Sequence, residues 1–186
     1  MDVSLRPVTN FVEGLSAQER RELSDLATRC FGPPELRTPH PLTISPDEDT
    51  RYVVRVWEDG LLVSCLWITE RTILVDGQPT RIAGIRGVRT DPPCRRRGFG
   101  AAAMRAAAEF IWRELRPDLA MLLSSEMAVP FYQRLGWQII KGPVYFDQPT
   151  GKQNLNEVLP ERPTMVLLPK GRDLTRGPVD LCGLPF

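Results

Sequence analysis

The chain has 186 residues, 42% of them apolar, which is enough for one sizeable hydrophobic core and too little for a second domain of usual size. We therefore predict a single domain over residues 1–186. Lysine and arginine total 24 against 23 aspartates and glutamates, so the overall charge provides no field that would attract nucleic acid or an anionic membrane. Residues 1–6 do not resemble a signal peptide, and no apolar run is long enough to span a membrane. We expect a cytoplasmic protein with neither nucleic acid nor membrane as a partner.

Metal sites and hydrolytic triads lack the residues that they need. The single histidine, His40, lies in a proline-rich stretch, and the four cysteines are scattered without C-x-x-C spacing. The sequence therefore predicts no metal site and no disulfide framework. A Ser-His-Asp or Cys-His mechanism would depend on His40 alone, which argues against a hydrolase.

The first predicted elements are a short strand and a capped helix. Alternation of apolar and polar residues indicates a strand over 3–8, and Ser16 with Glu19 three residues later is typical of a capping box at a helix start. Gly32, followed by prolines, ends that helix. The segment 33–49 contains five prolines and predicts a surface loop of a length that often borders a binding site.

Three strands follow, joined by two tight turns. The alternating segments are 51–57, 61–75 and 80–89, and Asp-Gly pairs at 59–60 and 76–77 separate them. Asp-Gly between alternating segments is a strong hairpin signal. The pattern predicts three antiparallel strands.

The rest of the chain alternates helices and strands. Apolar periodicity predicts a helix over 101–115, a strand over 119–123, a short helix over 129–135 and strands over 137–146 and 165–168. The whole pattern indicates an α/β protein of the α+β type, with a mixed, mostly antiparallel central sheet flanked by helices.

Residues 95–100, Arg-Arg-Arg-Gly-Phe-Gly, lie where a strand gives way to a helix. Glycines there let backbone N–H groups converge beside the positive end of a helix, which suits a pyrophosphate. The alternative is a glycine-rich helix start beside a solvated basic turn. Three adjacent arginines would repel one another unless an anion or an acidic partner lay beside them. A Walker loop would need a Lys-Ser/Thr pair, and a Rossmann fingerprint would need a third glycine where Ala103 stands.

These residues resemble the signature of the GNAT superfamily of N-acetyltransferases, which Arg95, Gly98 and Gly100 match. The segment 131–137, Phe-Tyr-Gln-Arg-Leu-Gly-Trp, is similar to a second motif of that superfamily. The resemblance covers roughly residues 51–146 and implies the GNAT fold, acetyl-CoA as co-substrate and a possible homodimer. It implies that the pantetheine arm pairs with the backbone like an extra strand and that the basic turn holds the pyrophosphate. The residues so implicated are Val88, Arg89, Thr90, Arg95, Arg96, Arg97, Gly98, Phe99 and Gly100.

Within the superfamily, residues 136–143 and the tail 173–186 look like aminoglycoside 2′-N-acetyltransferases. Those enzymes are expected to carry a glutamate just before the cofactor-binding strand residues, where this chain has Arg86. Arginine cannot act as a base near neutral pH and repels a polycation. Arg86 and Arg89 therefore indicate an acidic or neutral small-molecule amine, unless they pair with nearby acids, and both interpretations stay open.

Acetyl transfer needs an unprotonated amine, stabilisation of an oxyanion and a proton for the departing thiolate. The resemblance implies that Tyr132, a phenol with an ordinary pKa of about 10, supplies that proton; the alternative is a core aromatic. For the base, Glu126 is the best placed carboxylate, although a solvated loop residue is the alternative interpretation. The C-terminal carboxylate of Phe186 and water relays are the other candidates. Cys94 beside the arginines could have a lowered pKa and act as a nucleophile, although direct attack is what the resemblance implies.

Two other functions fit the same residues. A non-catalytic CoA-binding module or sensor would explain the lack of an evident base. A different nucleotide-binding α/β protein would use the arginines on a nucleotide phosphate.

Overall fold

The computed structural model describes residues 7–36, 50–172 and 177–185. Its first strand, β1 (Val8–Phe11), pairs antiparallel with β2. The strand predicted over 3–8 shares only Val8 with it, and residues 3–6 lie outside the described residues. Pro7 directly before β1 has no N–H to give to a sheet, which suits the position of a strand boundary.

The predicted capped helix is confirmed as α1 (Ala17–Phe31), with Ser16 as its N-cap. The N–H of Glu19 donates to Oγ of Ser16 at 3.2 Å, and the N–H of Ser16 donates to Oε2 of Glu19 at 2.8 Å. This reciprocal pair satisfies two N–H groups that a helix start leaves without partners. A short 3₁₀ turn, Pro34–Leu36, follows.

The three predicted hairpin strands are confirmed as the centre of the sheet. They are β2 (Thr50–Glu58), β3 (Leu61–Val75) and β4 (Gln78–Thr90), and each pairs antiparallel with the next. Asp59 and Asp76 have positive φ, as the turn type expected for Asp-Gly requires.

The long helix begins two residues before its predicted start. α2 runs over Phe99–Phe110 and continues as a π-helical turn over Ile111–Leu115. Gly98 adopts the left-handed conformation and is the N-cap, so helical geometry begins at once after it. The chain then enters β5 (Leu119–Leu123), which pairs parallel to β4.

The single strand predicted over 137–146 is wrong. After α3 (Val129–Gln133) the chain forms two strands, β6 (Gln138–Ile139) and β7 (Val144–Gln148). Pro143 lies between them and cannot donate to a ladder. With β8 (Gly151–Asn154), β9 (Thr164–Leu167) and β10 (Val179–Asp180), the strand order is β6-β9-β5-β4-β3-β10-β7-β8. Four residues therefore connect β6, at one end of this order, to β7, next to the other end. Such a short connection requires the sheet to curl.

The remaining elements are short, and the sequence analysis found only one of them. β9 (Thr164–Leu167) matches the strand predicted over 165–168, with both ends one residue earlier. β8 (Gly151–Asn154), α4 (Leu155–Val158) and β10 (Val179–Asp180) were missed. Two to four residues are too few to establish a period. The observed architecture is the predicted one, a mixed and mostly antiparallel sheet with helices on it.

The two long helices lie on opposite faces of the sheet. Val54 and Val56 of β2 pack into the cluster that contains α2 and Tyr132, whereas Val53 packs into the cluster under α1. Side chains of alternate strand residues point to opposite faces. A third apolar cluster, which includes Phe146, joins β7 to β5 and β9. None of the helices in the described ranges has both the length and the apolar character that a membrane crossing requires.

One buried arginine connects the start of α1 to the sheet. Arg55 is 2% exposed, and its Nη2 donates to Oδ1 of Asn10 at 2.9 Å and to Oε1 of Glu19 at 2.6 Å. Its guanidinium also lies 4.8 Å from the ring centre of Trp57. The backbone hydrogen bond from Ser16 and then the bond from Arg55 lower the pKa of Glu19 from 4.5 to about 2.

Glu19→Gln should therefore reduce the acid sensitivity of the fold. A carboxyl group whose pKa is lower in the folded than in the unfolded protein stabilises the fold above about pH 4.5, and that contribution is lost as the pH falls toward 2. We expect the wild-type free energy of unfolding, from urea titrations, to fall more steeply over this range than that of Glu19→Gln. Glu22→Gln on the same helix is the control and should follow the wild type. Equal slopes for wild type and Glu19→Gln would contradict this role of Glu19.

Candidate active site

β4 and β5 pair over four residues and then part. The pairs run from Ile82 with Leu119 to Ile85 with Leu122, whereas β4 continues to Thr90 with β3 as its partner. Beyond Ile85 no described strand pairs with the β5 side of β4, which is therefore an open strand edge among the described residues. Such an edge offers backbone N–H and C=O groups to an extended ligand that adds as a further strand.

A β-bulge bends β4 at this opening. Cys65 lies opposite Arg89 and Trp67 lies opposite Arg86, so β4 has one residue more than β3 between these pairs. Within the bulge Gly87 has a φ of +59°, and a Cβ there would lie 2.8 Å from Cε3 of Trp67. The left-handed backbone and the indole contact both require glycine.

The turn between β4 and α2 leaves the start of α2 without a side-chain cap. Gly98 has a φ of +94°, and the N–H of Ala102 donates to its carbonyl at 2.9 Å. Within the described residues no side chain bonds to this helix start as a cap. The first N–H groups of the helix and the positive end of its dipole suit an anion. This geometry fits the pyrophosphate site that the sequence analysis places at Gly98, which stays a prediction.

Gly100 allows the start of α2 to lie close to the end of β4. A Cβ at this position would be 3.0 Å from Oγ1 of Thr90 and 3.7 Å from Cζ of Phe131. Oγ1 of Thr90 is itself 3.0 Å from Oγ of Ser64, so it has little freedom to move away. Gly100 thereby brings the helix start, the open strand and α3 to one place.

The three adjacent arginines have different surroundings. Nε of Arg95 donates to the carbonyl of Thr90 at 3.2 Å, and Arg96 has a left-handed backbone, with a φ of +62°. Arg97 forms an ion pair with Glu58 through both terminal nitrogens, with 2.8 Å between Nη1 and Oε2. Three adjacent arginines repel one another unless an anion or an acidic partner lies beside them, and Glu58 is such a partner for Arg97. Its side chain is half exposed.

The two apolar residues among the predicted cofactor contacts pack into the core. Phe99 is 3% exposed, and Val88 packs against the same cluster. Any contact that they make with a ligand therefore comes mainly from their backbone, as the resemblance implies for Val88.

Tyr132 is a buried phenol of α3, only 7% exposed. Its ring centre lies 5.0 Å from that of Phe131 and 6.3 Å from that of Trp137. Burial raises the pKa of Tyr132 to about 12. The hydroxyl is therefore protonated at every pH at which the protein would work.

The other two candidate chemical groups differ in exposure, since Glu126 is exposed whereas Cys94 is buried in the same apolar cluster as Tyr132. Glu126 is exposed in the 3₁₀ turn after β5, and its N–H donates to the carbonyl of Glu161 at 3.2 Å. Burial, followed by the charges of Glu58 and Asp91, raises the pKa of the Cys94 thiol. The lowered pKa considered for Cys94 is therefore wrong, because burial, followed by the neighbouring carboxylates, outweighs Arg97.

A cavity of about 780 Å³ lies between α1 and the open end of β4 and β5. Its wall includes residues from α1, the bulge of β4, the end of β5 and the last described residue, Pro185. The sequence analysis named Arg86 and Arg89 from this wall. It missed the α1 side and Arg162, because their approach depends on the tertiary fold.

Outside the described ranges lie His40, residues 37–49 of the predicted surface loop, residues 173–176 of the tail and the terminal carboxylate of Phe186, so these sequence interpretations stay predictions. Asp180 of the tail, part of the aminoglycoside likeness, forms an ion pair with Lys152. The part of the chain that the structure describes contains no group of three or more His, Cys, Asp or Glu side chains that could hold a metal ion.

Gly100→Val should impair CoA binding without unfolding the protein. A branched side chain would meet Thr90 and Phe131 and push the start of α2 away from β4. We expect at least a tenfold rise in the Kd for CoA by calorimetry, with an unchanged far-UV spectrum. Glu109→Val, which places the same side chain on an exposed part of α2, should keep the wild-type Kd. Equal affinity of wild type and Gly100→Val would place the CoA site elsewhere.

Comparison with solved structures finds the same fold in several acyltransferases. An acyl-CoA N-acyltransferase from Pseudomonas aeruginosa is 21% identical, with a TM-score of 0.60, and the match covers 88% of this chain and 99% of that one. The GNAT protein YhbS from Escherichia coli, solved in complex with CoA, is 15% identical, with a TM-score of 0.60 and coverage of 98% and 93%. A GNAT acetyltransferase from Brucella melitensis, solved with acetyl-CoA, is 15% identical, with a TM-score of 0.55 and coverage of 94% of each chain.

The comparison with curated proteins found no match. The family model described as an acetyltransferase (GNAT) domain matches residues 12–140. This range contains the bulged β4, the start of α2 and Tyr132, and it is well over half of the chain. The protein is therefore a member of the GNAT family of acyltransferases.

Proposed function

We propose that this protein is an N-acetyltransferase that moves the acetyl group of acetyl-CoA to the amine of a small molecule by direct attack. The observation that carries the proposal is the opening between β4 and β5, which has an uncapped glycine-rich helix start at one end. One domain over residues 1–186 performs the reaction, and it does so in the cytoplasm.

The residues of the opening suit a diphosphate attached to an extended thiol arm. The backbone of Val88, Arg89 and Thr90 pairs with the arm as an added strand would. The first N–H groups of α2, from Phe99 onward, hold the diphosphate, with charge from the arginines before it. Arg97 contributes less of that charge because Glu58 neutralises it.

The amine attacks the thioester carbonyl from the cavity side, the C–N bond forms and the C–S bond breaks. Tyr132 donates a hydrogen bond to the departing sulfur. Its pKa of about 12 exceeds that of a thiol, about 8.5, so complete proton transfer from phenol to thiolate would cost about 5 kcal/mol. Tyr132 therefore stabilises the thiolate by donating a hydrogen bond to it. The proton that the amine loses passes through solvent to the thiolate, which becomes the thiol of CoA.

The base that removes that proton is a separate question. Glu126 stays the predicted base, although it does not belong to the described wall of the cavity. The terminal carboxylate of Phe186 is the second candidate, next to Pro185 of that wall. If neither carboxylate reaches the amine, a chain of water molecules from the cavity to solvent would carry the proton away.

An aminoglycoside is a second candidate acceptor, favoured by the sequence of residues 136–143 and of the tail. Arg86 in the cavity wall weighs against a polycation, because like charges repel in a partly desolvated site. A CoA-binding module without turnover is the alternative function. The homodimer implied by the resemblance stays a prediction that light scattering would check.

Tyr132→Phe should lower kcat about 100-fold, near the lower end of the range for removing one positioned hydrogen-bond donor to developing negative charge. CoA affinity should stay within twofold, because the ring and its packing are retained. The measurement is release of the CoA thiol with saturating acetyl-CoA and a panel of amines. Over pH 6–10 the activity should show no alkaline fall from Tyr132, because its pKa lies near 12.

Tyr145→Phe in β7, a strand on the far side of the curled sheet, is the matched control and should keep wild-type kcat. Unchanged kcat in Tyr132→Phe would remove the hydroxyl from the mechanism. CoA binding without turnover of any amine in the panel would favour the non-catalytic module.

A further inference from the structure

The cavity between α1 and the open end of β4 and β5 has a mostly apolar wall. More than half of its described lining residues are aliphatic, aromatic or proline. Leu15, Leu23 and Ile85 are each at most 8% exposed and belong to the apolar clusters of the core. Leu123 from the end of β5 lines the cavity beside them. The wall is therefore an extension of the hydrophobic core, and it continues to the strand at which the acetyl group would arrive.

Two aromatic side chains complete this wall. Phe31, the last residue of α1, is 54% exposed and carries the apolar wall to the exposed part of the cavity. Trp67 of β3 is half-buried, with its indole against the backbone of Gly87. The guanidinium carbon of Arg89 lies 4.3 Å from the ring centre of Trp67 and 5.4 Å from that of Phe31. These contacts hold both rings in place before a ligand binds.

The arginines of the wall are engaged by the protein itself. Nε of Arg20 donates to the carbonyl of Leu15 at 3.2 Å, and its Nη2 donates to the carbonyl of Val12 at 2.8 Å. Each of the other three interacts with another group of the protein, and they are Arg86, Arg89 and Arg162. The apolar side chains, more than these charges, therefore distinguish one ligand from another.

One buried hydroxyl in the wall has no partner. Thr50, at the start of β2, lines the cavity and is 7% exposed, and its Oγ1 has no hydrogen-bond partner among the described residues. A buried hydroxyl left in this state is unfavourable. A ligand atom that donates to or accepts from Oγ1 would remove that cost, so Thr50 points to one polar group in an otherwise apolar ligand.

An apolar wall selects ligands by the surface that they bury. Each methylene group that moves from water to such a wall gains about 0.8 kcal/mol, or about fourfold in affinity. A second ammonium group would have to give up its hydration there, which is costly without a charged partner. The same desolvation lowers the pKa of the reacting amine and favours the neutral form that acetyl transfer needs.

From this wall we infer that the acceptor is an amine attached to a bulky apolar group that carries one neutral hydrogen-bonding group. The inference rests on the proposed acetyl transfer and names its substrate class. The apolar group lies against Leu23, Ile85 and Phe31, the polar group reaches Oγ1 of Thr50, and the amine lies toward the opening between β4 and β5. A cavity of about 780 Å³ is in the range of sites for small organic ligands.

The first test varies apolar surface at constant basicity. The n-alkylamines from ethylamine to hexylamine have nearly the same amine pKa, so the fraction of free amine does not vary along the series. Thiol release is measured with saturating acetyl-CoA. We expect kcat/KM to rise at least tenfold from ethylamine to hexylamine. Spermidine and an aminoglycoside should have a kcat/KM at least tenfold below that of hexylamine.

Phe31→Ala then tests whether the gain arises at this wall. Because Phe31 is more than half exposed, its loss should leave the far-UV spectrum unchanged. We expect kcat/KM for hexylamine to fall at least fivefold and that for ethylamine to fall less than twofold. Phe11→Ala is the matched control, since Phe11 is 65% exposed and does not belong to the described wall. It should keep the wild-type ratio of the two amines.

Thr50→Val tests the polar contact. The probes are hexylamines with a hydroxyl on carbon 4, 5 or 6, too far from the amine to change its pKa. We expect kcat/KM for the best of the three to fall at least fivefold, and that for hexylamine to stay within twofold. The Tm should not fall, because Oγ1 has no protein partner to lose. Thr164→Val is the matched control, since Oγ1 of Thr164 is also buried without a partner and lies outside the described wall.

The outcomes separate the substrate class from the reaction. Equal kcat/KM for ethylamine and hexylamine, or preference for spermidine or the aminoglycoside, would overturn the inference and leave acetyl transfer standing. A preference for hexylamine that Phe31→Ala does not reduce would overturn it too, and equal losses on hexylamine and its hydroxylated forms would exclude the contact with Thr50.

No turnover of any amine would overturn the proposed function. In that case calorimetry of ethylamine and hexylamine, with CoA present, decides the inference. Tighter binding of hexylamine that Phe31→Ala weakens would support it, and equal affinity for the two amines would overturn it.

Discussion

The separation of β4 from β5 is the constraint on which the rest of this structure depends. Their pairing stops at Ile85, and the bulge at Gly87 then turns β4 away while β3 still holds it. The bulge can form only where no side chain competes with Trp67. Without this separation, the sheet would have no open edge between its central strands, and a thiol ligand could not reach from one face to the other.

Two candidate sites, one on each face of the sheet, meet at that opening. α2 packs on one face of the sheet and directs its uncapped start toward the end of β4, whereas α1 packs on the other face and closes the cavity. Gly100 allows the start of α2 to lie close to β4, and Gly87 allows the indole of Trp67 in β3 to lie against the bulge. A transferase needs this arrangement, because the donor and the acceptor must reach one carbonyl from different directions.

Which charges of the molecule are neutralised depends on its ion pairs and cannot be told from its composition. Arg55, Arg29 and Arg97 each have an acidic partner, in Glu19, Asp91 and Glu58 respectively. Those pairs hold helix ends and turns in place around the opening. The described wall of the cavity contains four arginines and no aspartate or glutamate, a local distribution that the near-zero net charge of the chain does not reveal.

The sequence alone determined the elements that carry a long period or a specific turn signal. The capping box at Ser16, the Asp-Gly hairpins and the glycines at 98 and 100 depend on local backbone chemistry, and each has the predicted local structure. The prediction of one strand over 137–146 failed because the division of this segment at Pro143 follows from the curl of the sheet. Two-residue strands such as β10 form only where neighbouring strands supply their hydrogen-bond partners. Only the tertiary structure decided that Arg97 faces Glu58, that burial raises the pKa of Tyr132, and that Arg20 and Arg162 share a cavity with Arg86. Those properties depend on groups far apart in sequence, and only the packed chain brings such groups together.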